Sequence, residues 1–153
     1  MLANVALASD RLTPPDRTTR SAVRVDDARA AARPILVVDD DPEILAMLRD
    51  FLESEGLAVR TAANGAEALE ALDEVMPALI LLDMRMPVLD GWAFAKRFHE
   101  RALTYPIVVM TAAESARRWA EEIGATGYIA KPFDVNELLE TIERHRQKDS
   151  KPN

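Results

Sequence analysis

From residue 34 onward the sequence predicts an α/β domain, a doubly wound sheet of five parallel strands with helices on both faces. Three observations carry that expectation. Short, continuous apolar runs occur at residues 35–38, 79–82 and 107–110, as in strands buried on both faces. The segments between the strands carry apolar residues at helical spacing. Strand and helix alternate five times in about 115 residues, and a helix is the usual crossover between parallel strands.

The elements follow in order. Pro34 leads into the first strand, residues 35–38. Asp41 then precedes Pro42, an N-cap followed by proline at the first helical position. Ile44, Leu45, Leu48, Phe51 and Leu52 form that helix's apolar face, and Gly56 supplies its left-handed stop. Residues 57–61 are the second strand. Asn64 caps a second helix bearing Ala68, Leu69, Leu72 and Val75, which Pro77 stops. The third strand, residues 79–82, runs into Asp83. A loop with Pro87, Asp90 and Gly91 leads to a helix with Trp92, Phe94, Ala95 and Phe98. Pro106 introduces the fourth strand. Residues 115–123 form a short helix ended by Gly124, and residues 127–130 the fifth strand. Lys131-Pro132-Phe133 reads as a turn, and Asp134 caps a last helix with Leu138, Leu139 and Ile142.

Residues 1–33 read as a flexible leader, with Pro14, Pro15, scattered Ser and Thr and no sustained apolar period. A weak helix within residues 21–32 is the one local signal there. The globular domain after this leader spans residues 34–147, and residues 148–153 read as a disordered polar tail. The leader holds six Arg and four Asp, a surplus of +2, which leaves −9 of the total of −7 on the rest. An acidic body argues against a nucleic-acid footprint, which needs clustered Lys and Arg. No apolar run approaches a membrane span, and the first residues lack a signal peptide's basic start, so the expected location is the cytoplasm. There is no cysteine, which removes disulfides, thiolate metal sites and cysteine nucleophiles. The two histidines, His99 and His145, fall on helix segments and are expected at the surface, so a zinc site is disfavoured.

In open parallel sheets the functional crevice lies beyond the carboxyl ends of the strands. Strand one ends in Asp39 and Asp40, strand three in Asp83, strand four in Thr111 and strand five in Lys131. Separately, the acids would be solvated loop residues and Thr111 an ordinary strand-end residue. Together, three carboxylates, a hydroxyl and an ammonium meet at one sheet edge. Clustered carboxylates repel unless a cation neutralises them. Mg²⁺, with its preference for carboxylate, water and phosphate oxygens, resolves the repulsion. A metal beside Asp83 would let its carboxylate act as a nucleophile toward phosphorus, with Lys131 and Thr111 meeting the phosphoryl oxygens. Asp41 reads as a cap, Asp90 as a turn residue, and Met84 and Met86 as packing. Trp92 reads as core or half-buried. Trp119 fits either the core or an exposed contact.

Four segments resemble the signatures of response-regulator receiver domains, in that family's order and spacing. They are Ile35-Leu36-Val37-Val38-Asp39-Asp40-Asp41, the run from Asp83 to Gly91, Val109-Met110-Thr111-Ala112, and Tyr128-Ile129-Ala130-Lys131-Pro132-Phe133. The resemblance covers roughly residues 34–147. It implies the flavodoxin-like (βα)5 fold with strand order 2-1-3-4-5 and a phosphoaspartate at Asp83. It also implies Mg²⁺ held by Asp40, Asp83 and the backbone carbonyl of Arg85, with Asp39 acting largely through water. Lys131 would contact the phosphoryl group, Thr111 would move toward it, and Tyr128 would change rotamer in step. Lys131-Pro132 would be a cis peptide. Arg85, a long cation two residues past Asp83, and the small Ala113 are expected to tune phosphate lifetime.

The implied function is a switch phosphorylated by a sensor histidine kinase or phosphotransfer protein, acting on a downstream protein or relaying the phosphoryl group. A metal-dependent phosphatase with an Asp nucleophile is the competing reading. It generally needs an acid two residues after the nucleophile, where Arg85 stands. A receiver-like binding module without phosphorylation is a third reading, opposed by the complete set of Asp39, Asp40, Asp83, Thr111 and Lys131. About 20 residues follow Asp134, so output is expected in trans. The expected output surface, and possible homodimer contact, is the face of the fourth helix, fifth strand and fifth helix, where Arg117, Arg118 and Trp119 cluster.

Overall fold

The computed structural model describes residues 33–150, with side chains through residue 146. The expected leader through residue 32, its short helix, and residues 151–153 lie outside the described residues. Five strands, β1 (Ile35–Val38), β2 (Val59–Ala62), β3 (Leu79–Asp83), β4 (Ile107–Ala112) and β5 (Gly127–Lys131), alternate with five helices. These are α1 (Pro42–Ser54), α2 (Gly65–Glu74), α3 (Gly91–Glu100), α4 (Ala113–Ile123) and α5 (Val135–Ser150). All four strand pairings are parallel, in the order β2-β1-β3-β4-β5. The fold is thus the flavodoxin-like (βα)5 arrangement.

The near-uniform hydrophobicity of the inner strands has a direct structural use. Successive strand side chains point to opposite faces, and both faces are covered. Leu36, Val38, Ile80, Leu82, Ile107 and Val109 pack on one side with Leu69 of α2, Phe94 and Phe98 of α3, and Trp119 and Ile123 of α4. Ile35, Val37, Leu79, Leu81, Val108 and Met110 pack on the other with Leu48 and Leu52 of α1, and Leu138 and Ile142 of α5. Each fully buried aliphatic side chain contributes about 1.5–3 kcal/mol, before its ordering entropy is counted.

The helix starts are capped as the sequence requires. The Asp41 carboxylate accepts from Glu43 N at 2.9 Å, Asn64 Oδ1 from Glu67 N at 2.9 Å, and Asp134 Oδ1 from Glu137 N at 2.7 Å. Asp90, expected in a turn, is the N-cap of α3, accepting from Ala93 N at 2.9 Å. Gly56, at φ +85°, follows α1.

One sequence expectation changes, one open reading closes, and one helix runs further than drawn. His145, expected at the surface, is buried at 7% exposure. It follows Leu138, Thr141 and Ile142 on the inner face of α5, and packs against Gly127, whose missing side chain leaves room for the imidazole. Trp119 takes the packed alternative, also at 7% exposure. The last helix continues to Ser150, beyond the boundary drawn at residue 147, through Gln147 and Lys148, which are good helix formers. Among the described residues no helix is long and apolar enough to cross a membrane.

Candidate functional site

The strand order places β1 and β3 side by side although β2 separates them in sequence. The chain therefore leaves β1 toward one edge of the sheet and returns to build the other. That reversal opens a crevice at the carboxyl ends of β1 and β3. Asp39 and Asp40 follow β1 directly, and Asp83 is the last residue of β3. One carboxylate oxygen from each of the three lies within 4.8 Å of the others, with Asp39 and Asp83 buried and Asp40 exposed.

Asp39, at 1% exposure, is held on both oxygens. Its Oδ1 accepts from Asp41 N at 2.9 Å and its Oδ2 from Lys131 Nζ at 2.9 Å. Lys131 Nζ also lies 3.7 Å from Asp83 Oδ1. The ammonium at the end of β5 thus reaches across β4's end to both buried acids. The Lys131-Pro132 peptide is cis, as the resemblance implies.

Burial pushes the Asp83 carboxyl up to about 6. Lys131 opposes that rise, while the charges of Asp39 and Asp40 add to it and a hydrogen bond with the Met84 backbone lowers it. Lys131 is itself held above its ordinary value. Burial disfavours its charge, but the hydrogen bond to Asp39 and the negative charges of Asp83 and Asp39 outweigh burial. The three carboxylates share one ammonium, Lys131, within ion-pair distance of Asp39 and Asp83. A hard divalent cation fits the deficit, since all the side-chain donors are carboxylate oxygens.

The loop after Asp83 is fastened by its backbone. Gly91 N donates to Met84 O at 2.9 Å and Gly65 N to Leu89 O at 2.8 Å. At Gly91 an added Cβ would lie 2.8 Å from Met84 Cα, so the close approach requires glycine. Met84 and Met86 are buried packing residues, as expected. Thr111 is buried at the end of β4, paired in register with Ala130, one residue before Lys131. Tyr128 stands on β5 at 47% exposure, turned outward.

One contact was not legible beforehand. The Arg85 guanidinium carbon lies 5.1 Å from the Trp119 ring centroid on α4. Trp119 in turn meets Trp92 edge-on, at 4.8 Å and 69°. The contact joins the β3–α3 loop to α4 and depends on how those elements pack, which no local sequence signal records. Arg117 and Arg118 instead face Glu121 at 3.2 Å and Glu122 at 3.9 Å, exposed pairs one helical turn apart.

Comparison with known proteins agrees with this geometry. Residues 35–143 match the family model described as the response regulator receiver domain. The DNA-binding transcriptional regulator NtrC of Escherichia coli strain K12 is 40% identical over 123 residues, covering 77% of this chain and 26% of NtrC. The chain thus spans about a quarter of the length of that relative. Among solved structures, chemotaxis protein CheY4 of Vibrio cholerae superimposes with a TM-score of 0.69 at 33% identity, covering 75% of this chain and 99% of CheY4. The response regulator TrrA of Thermotoga maritima, solved in complex with Mg²⁺-BeF, gives a TM-score of 0.65 at 31% identity, covering 73% of this chain and 97% of TrrA.

Proposed function

This chain belongs to the response regulator receiver domain family, and from that premise we propose that it is a phosphorylation switch whose acceptor is Asp83. The domain is a switch that gains and loses a phosphoryl group, not an enzyme for an outside substrate. Its cluster of Asp39, Asp40 and Asp83 could hold a divalent cation, and the relative TrrA was solved in complex with Mg²⁺-BeF. The observation that carries the acceptor assignment is the joint position of Asp83: last residue of β3, buried, and within ion-pair reach of Lys131.

In our reading a carboxylate oxygen of Asp83 attacks the phosphorus of a phosphohistidine donor. An O–P bond forms, the P–N bond breaks, and the donor imidazole leaves and is protonated. Asp40, Asp83 and the Arg85 carbonyl, with Asp39 through water, would hold a Mg²⁺ ion, which would supply charge neutralisation for the transferring group. Lys131 meets a phosphoryl oxygen from the β5 side, and Thr111 donates its hydroxyl from the end of β4. Tyr128, outward here, turns inward as Thr111 shifts. The donor would be a sensor histidine kinase or a phosphotransfer protein. The face of α4, β5 and α5 would carry output to a protein target or a second copy of the chain. Nucleic acid is a poor partner for a body of net −9.

Incubation with phosphoramidate and Mg²⁺ should produce a modification that hydroxylamine removes, as it removes acyl phosphates, and EDTA should prevent it. A modification that forms in EDTA, or that resists hydroxylamine, would refute the metal-assisted acyl phosphate.

A further inference from the structure

We propose that Trp119 is a positioning residue for the metal site, holding the Arg85 guanidinium outside the acidic cluster so that it does not compete with the divalent cation. The inference rests on the Mg²⁺ reading of Asp39, Asp40 and Asp83. It begins from a charge placement that is otherwise hard to explain. The cluster contains three carboxylates and one ammonium, a deficit that draws in positive charge. Arg85 stands two residues beyond Asp83 on a long side chain. Yet among the described residues the ion pairs to the cluster come from Lys131.

The guanidinium lies instead over the Trp119 ring, 5.1 Å from its centroid. A cation over an indole face is attracted by the ring's quadrupole, more strongly over Trp than over Phe. The ring is fixed for the purpose. Trp119 is packed at 7% exposure, its neighbour Trp92 meets it edge-on, and Trp92 Nε1 donates to Glu122 Oε2 at 3.1 Å on the same helix as Trp119. The Arg85 backbone is confined as well, because Gly91 N bonds to Met84 O across its loop. With both ends set, the flexible part is the Arg85 side chain, and Trp119 gives it a place outside the carboxylates. Without the indole, the guanidinium would turn toward the cluster and raise the Mg²⁺ concentration needed to fill it.

Mg²⁺ titration of the full chain, read as the rise in thermal unfolding midpoint, tests this with a double-variant cycle. Trp119→Leu should weaken Mg²⁺ binding by about threefold or more, the scale of a lost cation–π contact. Trp119→Phe should fall between it and the wild type. Arg85→Ala should bind Mg²⁺ at least as tightly as the wild type, and adding Arg85→Ala to either Trp119 variant should restore that affinity. The rescue separates positioning from packing, because lost packing would persist without Arg85. If Trp119→Leu fails to fold, the Trp119→Phe arm decides by the same rescue. Unchanged affinity in the Trp119 variants, or weakening that Arg85→Ala does not reverse, overturns the proposal. A wild type that gains nothing from Mg²⁺ overturns the metal reading, and this inference with it.

Discussion

At the scale of the residue, Asp83 costs the metal-free protein stability once it is ionised. Its carboxyl is pushed up to about 6 from an ordinary 3.8, mainly by burial. A group whose pKa rises on folding stabilises the folded state fully below its unfolded value, and that stability is lost as pH climbs through about 6. Asp83→Asn removes the ionisation. In EDTA the variant should therefore out-stabilise the wild type by an amount that grows from pH 4 to pH 6 and levels off above, at most about 2–3 kcal/mol. Saturating Mg²⁺ should shrink the difference. Thermal melts of the pair across that pH range check the sign. Val88, in the same loop as Arg85, carries a second local cost. It is a β-branched residue at φ +70°, 81% exposed, where a Cβ crowds the backbone. Val88→Gly should raise stability by about 0.5–1 kcal/mol, the relieved crowding exceeding the added unfolded-state entropy. Denaturant melts at constant slope measure it.

At the scale of the element, β1, β3 and β4 were the most legible, because strands buried on both faces read as unbroken aliphatic runs. The acidic cluster was legible for a related reason: in this topology strand ends share one edge, so finding the strands brings Asp39, Asp40, Asp83 and Lys131 together. What stayed hidden depends on how neighbouring elements pack. The burial of His145 needs the side-chain-free surface at Gly127, and the place of Trp119 needs the β3–α3 loop above it. The apparent cluster of Arg117, Arg118 and Trp119 therefore splits, one ring packed inward and two cations outward on α4. In the proposed reading, output through the α4, β5 and α5 face would rest on the two arginines and Tyr128. Arg118→Glu should leave folding and phosphorylation intact and weaken capture of the output protein, or self-association, in the phosphorylated state. Unchanged association would exclude that face. The loop clamp gives another element-level test. Gly91→Ala drives a Cβ into Met84, so it should cost about 1–3 kcal/mol and slow phosphorylation by shifting Arg85's carbonyl.

At the scale of the molecule, residues 33–150 supply both layers of core that the sheet requires, from α1 and α5 on one face and α2, α3 and α4 on the other. Folding should then need nothing from residues 1–32, and their deletion should leave the unfolding midpoint and phosphorylation nearly unchanged. A fall of several degrees would assign the leader a structural part. The sheet also decides where chemistry occurs, because the reversal between β1 and β3 collects the acids and β5 delivers the lysine. In the proposed reading this arrangement makes Asp83 the phosphoryl acceptor. Borohydride reduction of the phosphorylated protein, followed by peptide mass spectrometry, tests it most directly, since reduction converts a phosphoaspartate to homoserine. Homoserine should appear at position 83 alone and be absent from Asp83→Asn. Homoserine at another aspartate in the wild type, or phosphorylation surviving in the variant, would contradict the account.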